Sequence, residues 1–396
     1  MTTKKTKKTY NIAVVGATGN VGREILRTLA ERDFPVGEVY ALCSLNSVGK
    51  EVSFGGKVLK TVGLNGFDFS DIDIAFGAVD GKIISGYEDV ITEHAVLIDN
   101  SSYFRMDEDV PLVVPEVNGF EIAKYSARNI IANPNCSTIQ MLAALHTLHS
   151  VFNIKRIVVS TYQAVSGAGK DAMDELYIQT KKLYEVSAHK PSVFPTQIAF
   201  NCIPQIDDFM EDGYTKEEWK MKVETKKILS ESVEVTATCV RVPVFNGHAE
   251  SINVEFEKPC TVAKVKKILS STDGVLVFDK NEPRGYKTQT EISQEDAVFV
   301  SRIRQDETVE NGINMWVVAD NMRKGAALNA VQIAEILASK YLAKEGKAKE
   351  AHAKESHTIE GSHCCAIDHK SENKHAKASE NTKTKSKSDS SKKSSR

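Results

Sequence analysis

Tyr10-Asn11-Ile12-Ala13-Val14-Val15 runs without a break into Gly16-Ala17-Thr18-Gly19-Asn20-Val21-Gly22. The first stretch is apolar and rich in β-branched residues, the pattern of a strand buried on both faces. The second holds three glycines, after which Val21, Ile25 and Leu29 recur at helical spacing. Strand, glycine turn and helix in that order open a doubly wound, Rossmann-type sheet that binds a dinucleotide. One glycine permits the tight turn, another lets the backbone approach a pyrophosphate, and the third allows close helix–strand packing. Gly16, Thr18, Gly19, Asn20, Val21 and Gly22 are therefore candidate cofactor contacts. The spacing, Gly-x-x-Gly-x-x-Gly, is one step off the commonest fingerprint, so the strand before and the helix after carry the reading.

The next strand, Val39 to Cys43, ends where an Asp or Glu would hold the ribose 2′-hydroxyl of NAD. Here the chain reads Ser44-Leu45-Asn46-Ser47-Val48-Gly49-Lys50. No carboxylate repels a 2′-phosphate, and Asn46, Ser47 and Lys50 offer it hydrogen bonds or charge. NADP is favoured over NAD. Strands expected at Ile72 to Gly77, Ala95 to Asp99 and Leu112 to Val114 extend the sheet. Arg105 falls in a loop after one of them, at the carboxyl edge where open α/β sheets bind ligands.

A second stretch, Asn133-Pro134-Asn135-Cys136-Ser137-Thr138, follows a short strand at Asn129 to Ala132 and opens a helix. Met141, Leu145, Leu148 and Phe152 form its apolar stripe. Ser137 or Thr138 is the expected cap. Cys136 then sits at the positive end of a helix dipole beside free N–H groups, a place that lowers a thiol pKa and favours attack on carbonyl carbon. The plainer reading is a small buried cysteine, so the rest of the chain decides.

Beyond Phe152 the pattern shifts. Lys155 to Ala164 is β-rich, and Val165-Ser166-Gly167-Ala168-Gly169-Lys170 leads into a helix reaching past Lys182. Ala164 and Asp171 break the nucleotide-triphosphatase pattern that Gly169-Lys170 hints at. A later helix carries Glu217, Lys220 and Glu224 on one face, offering both signs of charge to a ligand. Val233 to Val244 alternates, and Arg241 shares the parity of its apolar residues. Asn246-Gly247 signals a hairpin turn, so Arg241 and His248 are expected at one end of a hairpin in an antiparallel sheet. Strands at Val298 to Arg304 and Met315 to Ala319 continue it, and Asp320 onward opens a last helix ending near Leu342.

With 396 residues and 41% hydrophobic content the chain is expected to form two globular domains with extensions. The expected organisation is a disordered basic start at 1–10, a dinucleotide-binding domain at 11–135 completed by a helix at 321–342, an α+β catalytic domain with a mostly antiparallel sheet at 136–320, and a disordered tail at 343–396. Residues 344–396 hold thirteen Lys and Arg against eight Asp and Glu, and residues 1–10 hold four lysines. The middle of a chain with net charge −2 is therefore acidic, which argues against nucleic acid as a partner. No run is long and apolar enough for a membrane span. Seven widely spaced cysteines do not read as a disulfide framework, and a reduced, cytoplasmic protein is expected. Five of the ten histidines lie in the tail, but their spacing matches no tetrahedral site, and no metal is expected.

The motifs GATGNVG, SSYFRMD, VVPEVN, NPNCSTIQ, TYQAVSGAGK, the EEWK helix, CVRVPVFNGH and DNMRKGAA occur in that order across residues 11–342. Taken together the chain resembles the aspartate-semialdehyde dehydrogenase family. The resemblance implies NADP-dependent reductive dephosphorylation of L-aspartyl-4-phosphate to L-aspartate 4-semialdehyde, on the route to lysine and diaminopimelate, threonine and methionine. It implies Cys136 as the nucleophile that forms an acyl-thioester, His248 as acid and base, and Gln163 as a substrate-positioning residue beside the thiol. Arg241 matches the clamp on the substrate α-carboxylate, a task suited to a planar guanidinium. Arg105 and Lys220 match phosphate binders, and Glu217 the partner of the substrate amino group, with Glu224 its rival. Thr18 to Val21, Asn46, Ser47, Ser166, Gly167 and Asn321 match cofactor contacts, and a homodimer or homotetramer is implied. Many members carry a basic residue where Asn46 stands, and the tail lies outside the family pattern. Rival readings are another acyl-phosphate reductase such as N-acetyl-glutamyl-phosphate reductase, glyceraldehyde-3-phosphate dehydrogenase, a cysteine acyl-transfer enzyme needing no nucleotide, or a nucleotide-binding scaffold.

Overall fold

At its centre the first sheet is built from runs buried on both faces. In the computed structural model, which describes residues 9–187 and 190–342, six parallel strands lie in the order β5-β2-β1-β6-β7-β8. They are β1 (Tyr10–Val15), β2 (Val36–Cys43), β5 (Val62–Gly63), β6 (Ile74–Gly77), β7 (Val96–Asp99) and β8 (Ile130–Ala132). A small hairpin of β3 (Glu51–Phe54) and β4 (Lys57–Lys60) stands apart. Every residue of β6, β7 and β8 is buried, which is why these strands show no alternation. Tyr10, read from sequence both as the first residue of the strand and as the end of the disordered start, is buried as the first residue of β1. Leu112 to Val114, expected as a strand, contributes only a single bridge from Leu112 to Ala132, after which a short helix begins at Pro115. Residues 1–8 and the tail at 343–396 lie outside the described residues.

The second sheet is mixed, in the order β10-β9-β11-β14-β13-β12. Its strands are β9 (Ile154–Gln163), β10 (Glu234–Arg241), β11 (His248–Phe256), β12 (Val275–Val277), β13 (Val298–Asp306) and β14 (Gly312–Ala319). Three of its five pairings are antiparallel, and β10 with β9 and β12 with β13 are parallel. The expected β10–β11 hairpin does not form. β9 lies between the two strands, so residues 242–247 cross its end rather than closing a two-residue turn. Asn-Gly specifies a local reversal, which Gly247 supplies at φ 89°, but not which strand the returning chain pairs with.

The helix at Cys136–Phe152 lies between the two sheets. Its Leu142, Leu145 and Leu148 share one core with Ala13, Val15 and Leu97 of the first sheet and Val159, Ile252, Val254 and Met315 of the second. Its burial is therefore not confined to the predicted stripe, since Ile139, Ala143 and Ala144 are buried too. The other face of the first sheet packs Ile12 and Val14 against Ile25 and Leu29 of the first helix, Asn20–Glu31, and against Ala330, Val331 and Ala334 of the last. That last helix returns to the first sheet, where Tyr10 Oη donates to Ala338 O at 2.8 Å. Lys324, just before it, is buried and donates to both oxygens of Glu116 at 2.8 and 2.7 Å.

The glycine turn is set by backbone contact. A Cβ on Gly22 would lie 2.3 Å from Gly16 O and 2.8 Å from Ala17 Cα, so the helix touches the turn where a side chain would stand. Alanine is the better helix former by about 1 kcal/mol, yet Gly22→Ala is expected to lower Tm in a thermal melt. An unchanged or higher Tm would contradict this close approach.

Candidate active site

The Cys136 turn is held by side chains from the helix Lys216–Ile228. Asn135 is the cap of the Cys136 helix: its Oδ1 accepts from the backbone N–H of Ser137 at 3.0 Å and Thr138 at 3.3 Å. The predicted caps, the hydroxyls of Ser137 and Thr138, are buried without a partner instead. The Asn135 backbone N–H donates to Glu224 Oε2 at 2.7 Å, and its Nδ2 to Glu217 Oε1 at 2.8 Å. The two carboxylates stand two turns apart on one helix face and grip a single residue.

They nevertheless do different things. Glu224 accepts from Arg105 Nη1 at 2.9 Å, while Arg105 also donates from Nε to Asn133 O and from Nη2 to Asn100 O. Glu224 thus lies behind the cavity that Arg105 lines. Glu217 faces that cavity, taking hydrogen bonds from Gln163 Nε2 at 3.0 Å and Lys220 Nζ at 3.3 Å. Lys220 donates to Asp207 Oδ2 as well, at 2.8 Å. The cavity has a volume of about 370 Å³, and Cys136, Arg105, Gln163, Glu217, Lys220 and Arg241 line it. Such a size suits a small polar molecule.

Arg241, the last residue of β10, is buried and donates from Nη1 to Ala164 O at 2.8 Å. His248, the first residue of β11, is fully buried, and its Nδ1 accepts the Ala164 N–H at 3.1 Å. With Nδ1 accepting, the neutral ring carries its proton on Nε2, which has no partner. Gly167 covers both side chains: a Cβ there would stand 3.1 Å from Arg241 Nη1 and 3.2 Å from His248 Nε2. Asn321 fixes the turn before the histidine, accepting from Gly247 N at 2.8 Å and donating to Ser166 Oγ at 3.0 Å.

The predicted cofactor residues divide between two places. Gly16, Thr18, Gly19 and Asn46 line a separate cavity of about 840 Å³ along the carboxyl ends of β1 and β2. Val21, Ser166, Gly167 and Asn321 line the Cys136 cavity. Three others line neither cavity: Gly22 is buried in packing, Asn20 donates to Met173 Sδ, and Ser47 accepts from Lys50 Nζ. A dinucleotide fits the glycine turn: no side chain caps the first helix there, which leaves its N–H groups for a pyrophosphate. Gly16, at φ 89°, would bring a Cβ to 2.4 Å from Ala78 O, so only glycine is accommodated.

Sequence reasoning missed Asp207 and Gly325. Asp207 lies in an irregular segment with no pattern to single it out. Gly325 interrupts a helical run, itself a sign of close approach, and a Cβ on it would fall 2.9 Å from Cys136 Cβ.

Burial and the charge of Glu217 push the Cys136 thiol up to about 12, against the weaker pull of Arg241, Arg105 and the Ser137 N–H. The expectation of a lowered pKa is corrected on this point. The helix terminus acts as foreseen, but desolvation and a carboxylate far off in sequence outweigh it. Burial disfavours the charge on Glu217 too, yet Lys220, the bonds from Gln163 and Asn135, and Arg241 together hold it at about 2. Burial, then the charge of Arg241, bring His248 down to about 3. At neutral pH the cavity therefore holds a thiol and a carboxylate, while the neutral imidazole of His248 does not line it and lies buried against Gly167.

The first sheet matches a family model described as the semialdehyde dehydrogenase NAD-binding domain, over residues 11–125. The semialdehyde dehydrogenase dimerisation domain matches residues 144–324. A protein of Rickettsia bellii (strain RML369-C) named aspartate-semialdehyde dehydrogenase is 50% identical over 336 residues, covering 85% of this chain and 99% of its own. Its namesake in Aquifex aeolicus (strain VF5) is 50% identical over 337 residues, 84% of this chain and 99% of its own. Among solved structures, aspartate semialdehyde dehydrogenase II of Vibrio cholerae, complexed with ASA, gives a TM-score of 0.83 at 49% identity, covering 85% of this chain and 100% of that one. The Candida albicans enzyme, solved with NADP, gives 0.65 at 25% identity, covering 83% and 98%.

Because Glu217 holds the thiol proton on, Glu217→Gln is expected to lower the Cys136 pKa and quicken its alkylation by iodoacetamide at mildly alkaline pH. A rate equal to or below that of the unaltered protein would rule out this electrostatic control.

Proposed function

The chain belongs to the aspartate-semialdehyde dehydrogenase family, and we propose that it reduces L-aspartyl-4-phosphate to L-aspartate 4-semialdehyde with NADPH, releasing phosphate, through an acyl-thioester on Cys136. The observation that carries this reading is one cavity offering a cysteine thiol, three cations and a buried carboxylate. Those groups complement a substrate with an acyl carbon, a phosphate, a carboxylate and an ammonium. The reaction belongs to the synthesis of lysine and diaminopimelate, threonine and methionine.

Each charge on the substrate has a counterpart. Arg241 takes the α-carboxylate with the N–H groups not spent on Ala164 O. Glu217 takes the ammonium. Arg105 and Lys220 take the phosphate; Arg105 keeps a second N–H on each terminal nitrogen beyond its bonds to Glu224 and Asn100. Glu224 is then a positioning residue for Arg105 and the turn.

These contacts also change the reactivity of the site. An ammonium beside Glu217 cancels the charge that, after burial, holds the thiol proton in place, so Cys136 becomes a stronger acid only when substrate is bound. Attack of sulfur on the acyl carbon breaks the acyl–oxygen bond, and the thiol proton leaves on the phosphate as HPO₄²⁻. NADPH, when bound, would supply the hydride that reduces the thioester; the carbon–sulfur bond then breaks to free the aldehyde, and the sulfur takes one proton from solvent to restore the thiol. Gly16, Thr18, Gly19 and Asn46 would hold its adenosine side, and Val21, Ser166, Gly167 and Asn321 would meet it beside the thiol. His248, with its proton on Nε2, stabilises the oxygen that gains charge as the thioester is reduced. Taking up a proton at Nε2 requires the ring to release the Ala164 N–H first.

NADP over NAD rests on the absence of a carboxylate after β2 and on Lys50, whose Nζ donates to Ser47 Oγ at 3.1 Å. A homodimer is proposed from the dimerisation-domain match and from Tyr162 and Trp316, whose rings pair at 5.4 Å beside the exposed Ser251 on the outer face of the second sheet. A cytoplasmic setting is proposed from the five described cysteines, all of them free.

Phosphate-dependent reduction of NADP⁺ with aspartate semialdehyde, repeated with NAD⁺, tests the reading. Activity with NADP⁺ that exceeds that with NAD⁺ and requires phosphate is expected. Cys136→Ser is expected to abolish turnover while leaving dinucleotide affinity unchanged. Surviving turnover, or joint loss of both, would contradict the role of the thiol.

A further inference from the structure

Two residues beyond His248 on β11 lies Glu250, fully buried, with neither carboxyl oxygen paired. A carboxylate without partners in such a place is strongly disfavoured. Among the described residues no cation bonds to it. Its neighbour across β9 is Thr161, whose hydroxyl is already spent on Gln163 Oε1 at 2.9 Å. Its neighbour across β14 is Val317. The other titratable groups facing it are His248 on its own strand and Cys239 on β10.

From the Cys136 helix comes Gln140, also fully buried, with its amide against the Glu250 carboxyl. Gln140 Nε2 donates to His248 O at 3.5 Å, and its Oε1 has no donor. The amide and the carboxyl thus meet in the interior, where Gln140 Oε1 and both carboxyl oxygens lack a partner. One proton on Glu250 removes the buried charge and, donated from the carboxyl, gives Gln140 Oε1 a partner.

The register of the two elements gives this contact its meaning. Gln140 is one helical turn from Cys136, on the same face, and Glu250 shares a strand face with His248. We propose that Glu250 is a positioning residue for catalysis, present as a neutral carboxylic acid that clamps Gln140 and so sets the helix bearing Cys136 against the strand bearing His248. The inference rests on the reading of those two residues above. Burial drives the carboxyl well above the usual carboxylate range, opposed only by Gln140, in keeping with a neutral acid at working pH.

Glu250→Gln and Glu250→Leu in the full chain test this, with kcat, KM, the alkylation rate of Cys136 and the infrared carboxyl band as readouts. Glutamine keeps a donor toward Gln140 Oε1, so its kcat is expected within about 3-fold of the unaltered enzyme. Leucine removes the donor and is expected to lower kcat by at least about 10-fold, with KM little changed, because Arg241 and Arg105 still hold the substrate. A protonated-carboxyl band at neutral pH that vanishes in Glu250→Gln is expected as well. Glutamine as damaging as leucine, full activity in leucine, or no such band would overturn the proposal. Should the leucine variant not fold, the glutamine rates and the band still decide. Inactivity of the unaltered chain in the reductive assay would strike the functional reading instead, since the band and the alkylation rate report on the clamp alone.

Discussion

Two carboxylates on one helix face grip Asn135, and the arrangement of the site follows from that grip. Glu224 takes its backbone N–H and Glu217 its side-chain amide, while the asparagine caps the Cys136 helix with its remaining oxygen. The helix that supplies both carboxylates packs against β10, whereas the turn they hold follows β8 of the first sheet. The bonds therefore join the two sheets where the thiol emerges. Removing either carboxylate would leave buried donors unpaired, at a cost of about 1–3 kcal/mol each.

The same grip sets the electrostatics. Glu217 holds the turn as a carboxylate, and after burial that charge is the main influence keeping the thiol protonated. In the proposed reaction the site therefore rests with its thiol protonated, and the substrate ammonium would relieve it. Arg241 is the counterpart on the other side, since after burial its charge is the main influence keeping the His248 ring neutral. A zwitterionic amino acid carries both charges needed to relax the two groups together. A sugar phosphate, lacking an ammonium for Glu217, does not.

What was legible in the sequence was what depends on near neighbours. The glycine turn, the uniformly apolar parallel strands and the alternation that turns Arg241 inward all follow from local periodicity, and all appear in the fold. The insertion of β9 between β10 and β11 does not, because Asn246-Gly247 fixes a reversal and not a pairing partner. The thiol's acidity was misjudged for a related reason. The helix dipole at Cys136 is local, but the opposing charge comes from Glu217, which only the folded chain brings near. Spacing put Glu217 and Glu224 on one face and could not tell them apart, whereas the cavity wall does. Glu250 gave no signal at all, since Glu in an alternating strand reads as solvent-facing until its burial is seen.

The central claim is that Cys136, held by this bracket, is the atom that receives the acyl group. Intact-mass spectrometry of the chain mixed with L-aspartyl-4-phosphate and no nucleotide, followed by peptide mapping, tests it most directly. One aspartyl adduct per chain, located on Cys136 and accompanied by release of phosphate, is the result expected. An adduct on another residue, or none at all under conditions where the enzyme turns over once NADPH is added, would contradict it.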